Sequence, residues 1–264
     1  MKKLKSNLGS QDRFGYEWNK FNKIIPEYEL QFLKWVHPLK KEDFKNKKIL
    51  DAGCGIGRNS YWPLIYGAKE VYAFDYDKRT VAIAVKNLSK FKNAKVEFNS
   101  IYNLNFKNEF DMVFSIGVIH HLENPHLAVQ KMADSARKNG IVLIWVYGYE
   151  GNEWIVKYIN PVRKITSRLP LKITNLITYL FSIPLYVYTK SIPQKSSYLN
   201  QLSEFKFWHI HSIAFDQLIP RIANYWKKDE AINLLENKGL SDIKIYRVNE
   251  NSWTVIGRKN EIKK

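Results

Sequence analysis

The chain has 264 residues, with 42 Lys and Arg against 25 Asp and Glu and a net charge of +17. Its one cysteine, Cys54, excludes an intramolecular disulfide and a cysteine-based zinc cluster, and fits a reducing cytoplasm. The N-terminal lysines lack a following apolar stretch, so no secretory signal is expected, and the longest apolar region, residues 173–188, is broken by Thr174, Asn175, Thr178, Ser182 and Pro184 and falls short of a bilayer span. The basic balance invites nucleic acid or an anionic membrane as partner, but the lysines are spread along the chain. A soluble cytoplasmic protein is expected, with peripheral contact at the inner membrane surface left open.

Tyr28, Phe32, Leu33 and Val36 stand at helical spacing and predict a helix over one edge of the core. Apolar runs at residues 47–52, 70–75, 95–99, 110–115 and 140–147 then alternate with helical patterns, the signature of an α/β chain with a parallel sheet. Asp77 caps one predicted helix, which carries Val81, Ile83, Ala84 and Leu88. Asn124 caps another, with Pro125 in its first turn and Gly140 just beyond its end. Residues 241–248 and 252–259, joined by Asn249, Glu250 and Asn251, read as an antiparallel pair, so one strand of seven is reversed.

About 80 residues separate the fifth strand from that pair, too many for an ordinary crossover. The division expected is an N-terminal cap helix region (1–45), a nucleotide-binding core (46–148), a mainly helical, aromatic-rich insertion between strands 5 and 6 (149–226), and a C-terminal helix with the strand pair that completes the core (227–264). Within the insertion Ile173, Leu176, Ile177, Leu180 and Phe181 mark an amphipathic helix ending near Pro184. It could pack on its own domain, line a substrate pocket or lie on a membrane.

The stretch ILDAGCGIGRNS, residues 49–60, passes from a strand through Gly53, Gly55 and Gly57 toward a helix, and the next strand ends in Asp75. Bare backbone at such a turn allows close approach of a ligand, and a carboxylate at Asp75 can accept hydrogen bonds from a ribose diol. A dinucleotide fingerprint spaces its last two glycines three apart, whereas Gly55 and Gly57 are two apart and Asp51 precedes the turn. That acid disfavours a pyrophosphate and favours a nucleoside carrying ammonium or sulfonium charge.

With VYAFDYD, FDMVFSIGVIHHLENP and KNGIVLIWV, this turn resembles the class I S-adenosylmethionine-dependent methyltransferases, within their small-molecule and quinone-biosynthesis-like group (methyltransferase types 11 and 12). The resemblance implies a Rossmann-like fold. Gly53, Gly55 and Gly57 would form the floor under the methionine part of the cofactor, with Asp51 near its amino group and Asn59 in the same set. Asp75 would hold the ribose and Tyr76 would lie beside the adenine. Ser100 stands where the family often has an acid, with Ile101 next to it, and Ser115 and Ile116 would line the cofactor. Residues 12–21 and 215–226 also resemble segments found in a subset of the family.

Methyl transfer requires an aligned nucleophile, exclusion of water and, for a hydroxyl acceptor, a base. His120 and His121 are the candidate bases, with Asp216 as rival base or substrate anchor. Of His209 and His211, one is expected to face the pocket and the other solvent, and no third ligand at metal spacing accompanies them. No Asn/Asp-Pro-Pro-aromatic turn follows the fourth strand and no nucleophilic cysteine lies there, so the expected acceptor is a small or lipid-like molecule and nucleic acid is set aside. O-methylation is the first reading. Its rivals are an RNA methyltransferase exploiting the basic surface and a non-catalytic partner protein that binds S-adenosylmethionine.

Overall fold

The computed structural model describes Arg13, residues 23–193 and residues 197–260. Of the segment 12–21 only Arg13 is described, so that resemblance lies outside the described residues.

Helix α1 (Glu27–Trp35) precedes strand β1 (Lys48–Ala52), helix α2 (Arg58–Ile65), β2 (Glu70–Asp75), α3 (Lys78–Leu88), β3 (Ala94–Phe98), β4 (Phe110–Ile116), α4 (Pro125–Ser135) and β5 (Ala136–Tyr147). After β5 come α5 (Asn160–Thr166), α6 (Leu171–Ser191), α7 (Ser197–Glu204), α8 (Phe207–Leu218), α9 (Lys228–Asn233), β6 (Leu240–Val248) and β7 (Ser252–Lys259). The seven strands lie in the order β3-β2-β1-β4-β5-β7-β6. β7 runs antiparallel to both neighbours while the other pairings are parallel.

Side chains alternate across the sheet. On one face Leu50, Val113, Ile144 and Val146 pack with Val129 and Met132 of α4 and with Leu234 and Leu235 after α9. On the other Ile49, Val71, Met112, Phe114 and Leu143 pack with Phe32 and Trp35 of α1, Trp62 of α2 and Leu88 of α3. Burial on both faces explains why the central strands read as unbroken apolar runs. β1 begins beside β4 and ends at the crevice where the strand order reverses, the place where open sheets of this kind hold ligands.

Asp77 and Asn124 cap their helices as expected, accepting from the amides of Arg79 and Leu127. The second of these helices, however, stops at Ser135 instead of reaching Asn139. Ala136 is extended (φ −72°, ψ 135°) and pairs with Phe110, so β5 begins there, four residues before the predicted strand. Strand pairing overrides the local helical pattern of residues 136–139.

The polypeptide leaves the sheet and returns at one point. Gly148 bridges to Trp226, the Tyr149 amide donates to the Trp226 carbonyl at 2.9 Å, and the Trp226 amide donates to the Tyr147 carbonyl at 3.1 Å. Between them α6 departs from expectation twice. It continues through Pro184 to Ser191; Leu180 and Pro184 are both exposed, so the carbonyl that loses its amide partner lies on the solvent side. The second departure is its orientation. The buried residues are Thr174, Thr178, Ser182 and Thr189, while Ile173, Leu176 and Leu180 of the predicted apolar face point outward. Small hydroxyl side chains permit close packing and satisfy themselves on carbonyls: Thr178 donates to the Thr174 carbonyl at 2.8 Å, and Thr174 to the Thr166 carbonyl at 2.9 Å.

Candidate active site

The turn after β1 places Gly53, Gly55 and Gly57 at φ of +88°, +52° and +82°. That left-handed backbone favours glycine at each position, but the three do not share one spatial role. A Cβ at Gly55 would meet nothing within 4 Å, one at Gly53 would lie 2.5 Å from the Val118 side chain, and one at Gly57 would lie 3.1 Å from Leu88 and 3.4 Å from the Ala84 backbone. Gly53 and Gly55 line the large cavity of the molecule, and Gly57 does not. The expected three-glycine floor is thus corrected: Gly57 lets α2 approach α3, and only Gly55 leaves open space for a ligand.

Asp75 is bound to this turn. Its Oδ2 accepts the Gly55 amide at 2.9 Å, and its Oδ1 accepts the Asp77 amide at 2.9 Å and the Thr80 hydroxyl at 3.1 Å. A carboxylate has about four lone-pair sites, so one remains toward the cavity that Asp75 lines. Burial pushes its pKa up, against the pull of those donors.

Asp51 lies beneath the turn, buried and off the cavity wall. Its Oδ2 accepts the Ser60 hydroxyl at 2.6 Å, and its Oδ1 has no hydrogen-bond partner. Burial raises its pKa to about 7; the Ser60 bond opposes the rise and the charge of Asp75 adds to it. Asn59 is on the wall, and its buried Oδ1 also lacks a partner. Two unsatisfied acceptors flanking a glycine turn fit a ligand with a cationic amine.

Tyr76 stacks on Phe98 with ring centroids 5.4 Å apart and 16° between planes, half-exposed at the cavity edge. Ser100 and Ile101 line the cavity, and the Ser100 hydroxyl also accepts the Tyr102 amide at 3.3 Å. Ile116 is on the wall. Ser115 is not: period-two alternation turns it inward, where its hydroxyl donates to the Ala52 carbonyl at 2.7 Å and joins β4 to β1.

The two adjacent histidines separate. His120 is fully buried off the cavity wall, with its ring stacked 3.7 Å from that of Tyr147 and both ring nitrogens without hydrogen-bond partners. Burial and the charges of His121 and Arg163 hold its pKa well below the ordinary value. This corrects His120 as a base, because the turn at Ile119–His121 directs it into packing. His121 lines the cavity, and its Nδ1 lies 2.7 Å from the Ile222 carbonyl. Nδ1 therefore carries the proton, and Nε2 has acceptor character in the neutral ring. Burial pushes the His121 pKa down to about 4, the Ile222 contact opposing and Arg163 assisting.

Asp216 lines the same cavity from α8, where it stands inside the helix near its end. His209 also lines it, but His211 does not face solvent. It lies between α6 and α8, its Nε2 donating to Asn175 Oδ1 at 3.1 Å and its Nδ1 accepting the Ser182 hydroxyl at 2.9 Å. Among the described residues, no three His, Cys, Asp or Glu side chains converge as a metal set.

Sequence reasoning missed a network at the far wall. The buried guanidinium of Arg163 donates to the Gln217 carbonyl at 2.6 Å, to Gln217 Oε1 at 3.0 Å and to the Tyr225 hydroxyl at 2.9 Å; Tyr225 donates onward to Gln217 Oε1 at 3.1 Å. The Tyr225 ring stacks on Tyr147 at 5.5 Å. The available signal was an aromatic at the end of a parallel strand, Tyr147, beside a return segment containing a second aromatic. One cavity of about 1370 Å³ runs from Gly55 and Asp75 past His121 and Tyr147 to Phe181, Leu185 and Phe205. Typical ligand pockets are ~300–1,000 Å³, so this one has room for a nucleoside and a second molecule.

Strand order, the reversed β7 and the left-handed turn after β1 define a Rossmann-like class I methyltransferase fold. Residues 50–144, a little over a third of the chain, match the model of the methyltransferase domain family designated type 11. It is 30% identical over 120 residues to the tRNA U34 carboxymethyltransferase of Alteromonas mediterranea, covering 42% of this chain and 36% of that one. It is 27% identical over 126 residues to the ubiquinone biosynthesis O-methyltransferase of Pelagibacter ubique, covering 44% and 52%. The structure of the PH0226 protein from Pyrococcus horikoshii shares the fold at TM-score 0.57 and 17% identity, over 89% of this chain and 92% of that one. The matches span between 26% and 66% of the length of the first curated relatives.

Proposed function

We propose that this protein is an S-adenosylmethionine-dependent methyltransferase acting in the cytoplasm on a small organic or lipid-like acceptor, taken from solution or from a membrane face. The observation that carries this reading is the single cavity that joins the glycine turn to the aromatic side chains of residues 149–226, with His121 on the wall between.

In this reading Asn59 holds the amino acid part of the cofactor with Asp51 beneath the turn acting on its amine from behind the wall, Gly55 admits its backbone, Asp75 takes a ribose hydroxyl, and Tyr76, Ser100 and Ile101 border the base. Bound there, the cofactor supplies a methyl group already activated by sulfonium charge. The protein then has three tasks: orient the acceptor, exclude water and take a proton where the acceptor must lose one.

His121 suits the last task within limits set by its pKa. It is neutral at pH 7, but a base whose conjugate acid has a pKa of about 4 removes protons poorly from alkyl alcohols or ammonium groups. The mismatch shrinks as the acceptor becomes more acidic, so a phenolic or enolic hydroxyl suits His121 better than an alkyl alcohol, and this favours O-methylation of such a group. Tyr147, Tyr225 and Gln217 supply a flat wall with hydrogen-bonding edges for such a ring. The residues expected to form an insertion, 149–226, serve as the acceptor cap. The cavity lined by Tyr147, Phe181, Phe205 and Tyr225 supports a small aromatic or lipid-like acceptor over RNA.

Calorimetry with S-adenosylmethionine and its demethylated product tests the cofactor assignment, and transfer of labelled methyl into metabolite and lipid extracts identifies the acceptor. Absence of cofactor binding would overturn the reading. Label appearing in RNA instead of small molecules would move the acceptor to nucleic acid.

A further inference from the structure

We propose that the outer face of α6 docks the protein on an anionic lipid surface. Ile173, Leu176, Leu180, Ile183 and Val187 recur at alternating three- and four-residue steps along this helix, all about half-exposed or more, with Leu180 at 74%. At 3.6 residues per turn they occupy an arc of about 80°, opposite the buried Thr174–Thr178–Ser182 row that packs toward α8. An interior-facing helix would present these side chains to the core; here the polar row is inside and the apolar row outside. Scattered exposed apolar residues are ordinary, but a continuous row over four turns marks a surface that is covered by something.

Charge selects the occupant. No Asp or Glu occurs from residue 154 to residue 203. Lys157, Lys164, Arg168, Lys172 and Lys190 are exposed in the same stretch. Lys172 and Lys190 are about five whole turns apart and so lie along one edge of the apolar row. A second copy of α6 laid antiparallel would set Lys172 against Lys190 of its partner at both ends, with no acid on the helix to relieve the repulsion. Anionic headgroups meet the lysines while acyl chains meet the leucines, as in helices that lie in the plane of a membrane interface. Among the described residues no helix is long and apolar enough to cross a membrane, so α6 lies on the surface. Its Phe181 and Leu185 line the cavity from a different face. A docked α6 is therefore the wall between lipid and cavity. The surface itself does not depend on the proposed methyl transfer.

Flotation of the full chain with vesicles tests this, comparing phosphatidylcholine alone with an equimolar mixture of phosphatidylcholine and phosphatidylglycerol. Wild type is expected to float with the anionic vesicles at low salt, with recovery falling roughly tenfold on neutral vesicles or at high salt. Leu180→Glu should lower anionic-vesicle recovery by roughly tenfold while leaving the thermal melt and cofactor binding unchanged, since Leu180 is exposed. Equal flotation of the variant and wild type, or no flotation of wild type, overturns the proposal. A concentration-dependent dimer that Leu180→Glu dissolves, without vesicle binding, assigns the row to a second copy and also overturns it.

Discussion

Asp75 accepts the backbone amide of Gly55 at 2.9 Å, so the acid ending β2 and the turn leaving β1 form one unit. Replacing the carboxylate removes the proposed ribose contact and frees the Gly55 amide together. Asp75→Ala is therefore expected to weaken S-adenosylmethionine binding by on the order of 1.5–3 kcal/mol, the range for hydrogen bonds to charged groups, and to lower the melting temperature as well. Asp75→Asn should recover part of the melting temperature and less of the affinity. Equal affinity of Asp75→Ala and wild type in calorimetry would remove the ribose assignment.

Gly55 and Gly57 should respond differently to alanine. Both substitutions pay for a left-handed backbone, about 1–2 kcal/mol. Gly57→Ala adds a crowded contact with Leu88 and Ala84, while Gly55→Ala enters open space. Urea denaturation should show the larger stability loss for Gly57→Ala, and ligand titration the larger affinity loss relative to stability for Gly55→Ala.

His120 and His121 are predicted to separate packing from chemistry. His120→Phe keeps the stack on Tyr147 and removes two unsatisfied buried nitrogens, so stability should hold or rise and turnover should persist. His121→Phe should leave cofactor affinity near wild type and lower kcat by about 10²–10⁴-fold, the usual scale for a general base. Comparable kcat losses in both variants would contradict the separation.

Stability against pH carries two opposed contributions. The Asp51 pKa is raised from 3.8 to about 7 on folding, so between those values the native state holds more protons than the unfolded chain and stability falls as pH rises. The His121 pKa is lowered from 6.5 to about 4, so stability falls as pH drops through that window. Urea midpoints from pH 4 to pH 8 should show Asp51→Asn removing the decline toward pH 7, and His121→Gln removing the decline toward pH 4. Each effect is expected to be on the order of a few kcal/mol.

Much of the core was legible because local patterns and tertiary burial agree there. The run at residues 70–75 is β2 and the run at 252–259 is β7, each with the predicted bounds, and Asp77 and Asn124 cap as their side chains allow. The candidate site was less legible. Ser115 and Ile116 are neighbours in sequence, yet alternation sends one into the β1–β4 seam and the other to the cavity. Neighbouring His120 and His121 divide in the same way.

Composition, spacing and turn chemistry thus determined the strand sequence, the glycine turn with its acids, and the presence of extra chain after β5. These features depend on side-chain periodicity and backbone sterics that act over a few residues. Tertiary structure alone decided that Gly57 serves helix packing, that Arg163 and Tyr225 back the far wall, and that α6 turns threonines inward and leucines outward. Periodicity marks the faces of a helix but does not say which one meets the protein; that depends on the partner helix, here α8, about thirty residues further along the chain.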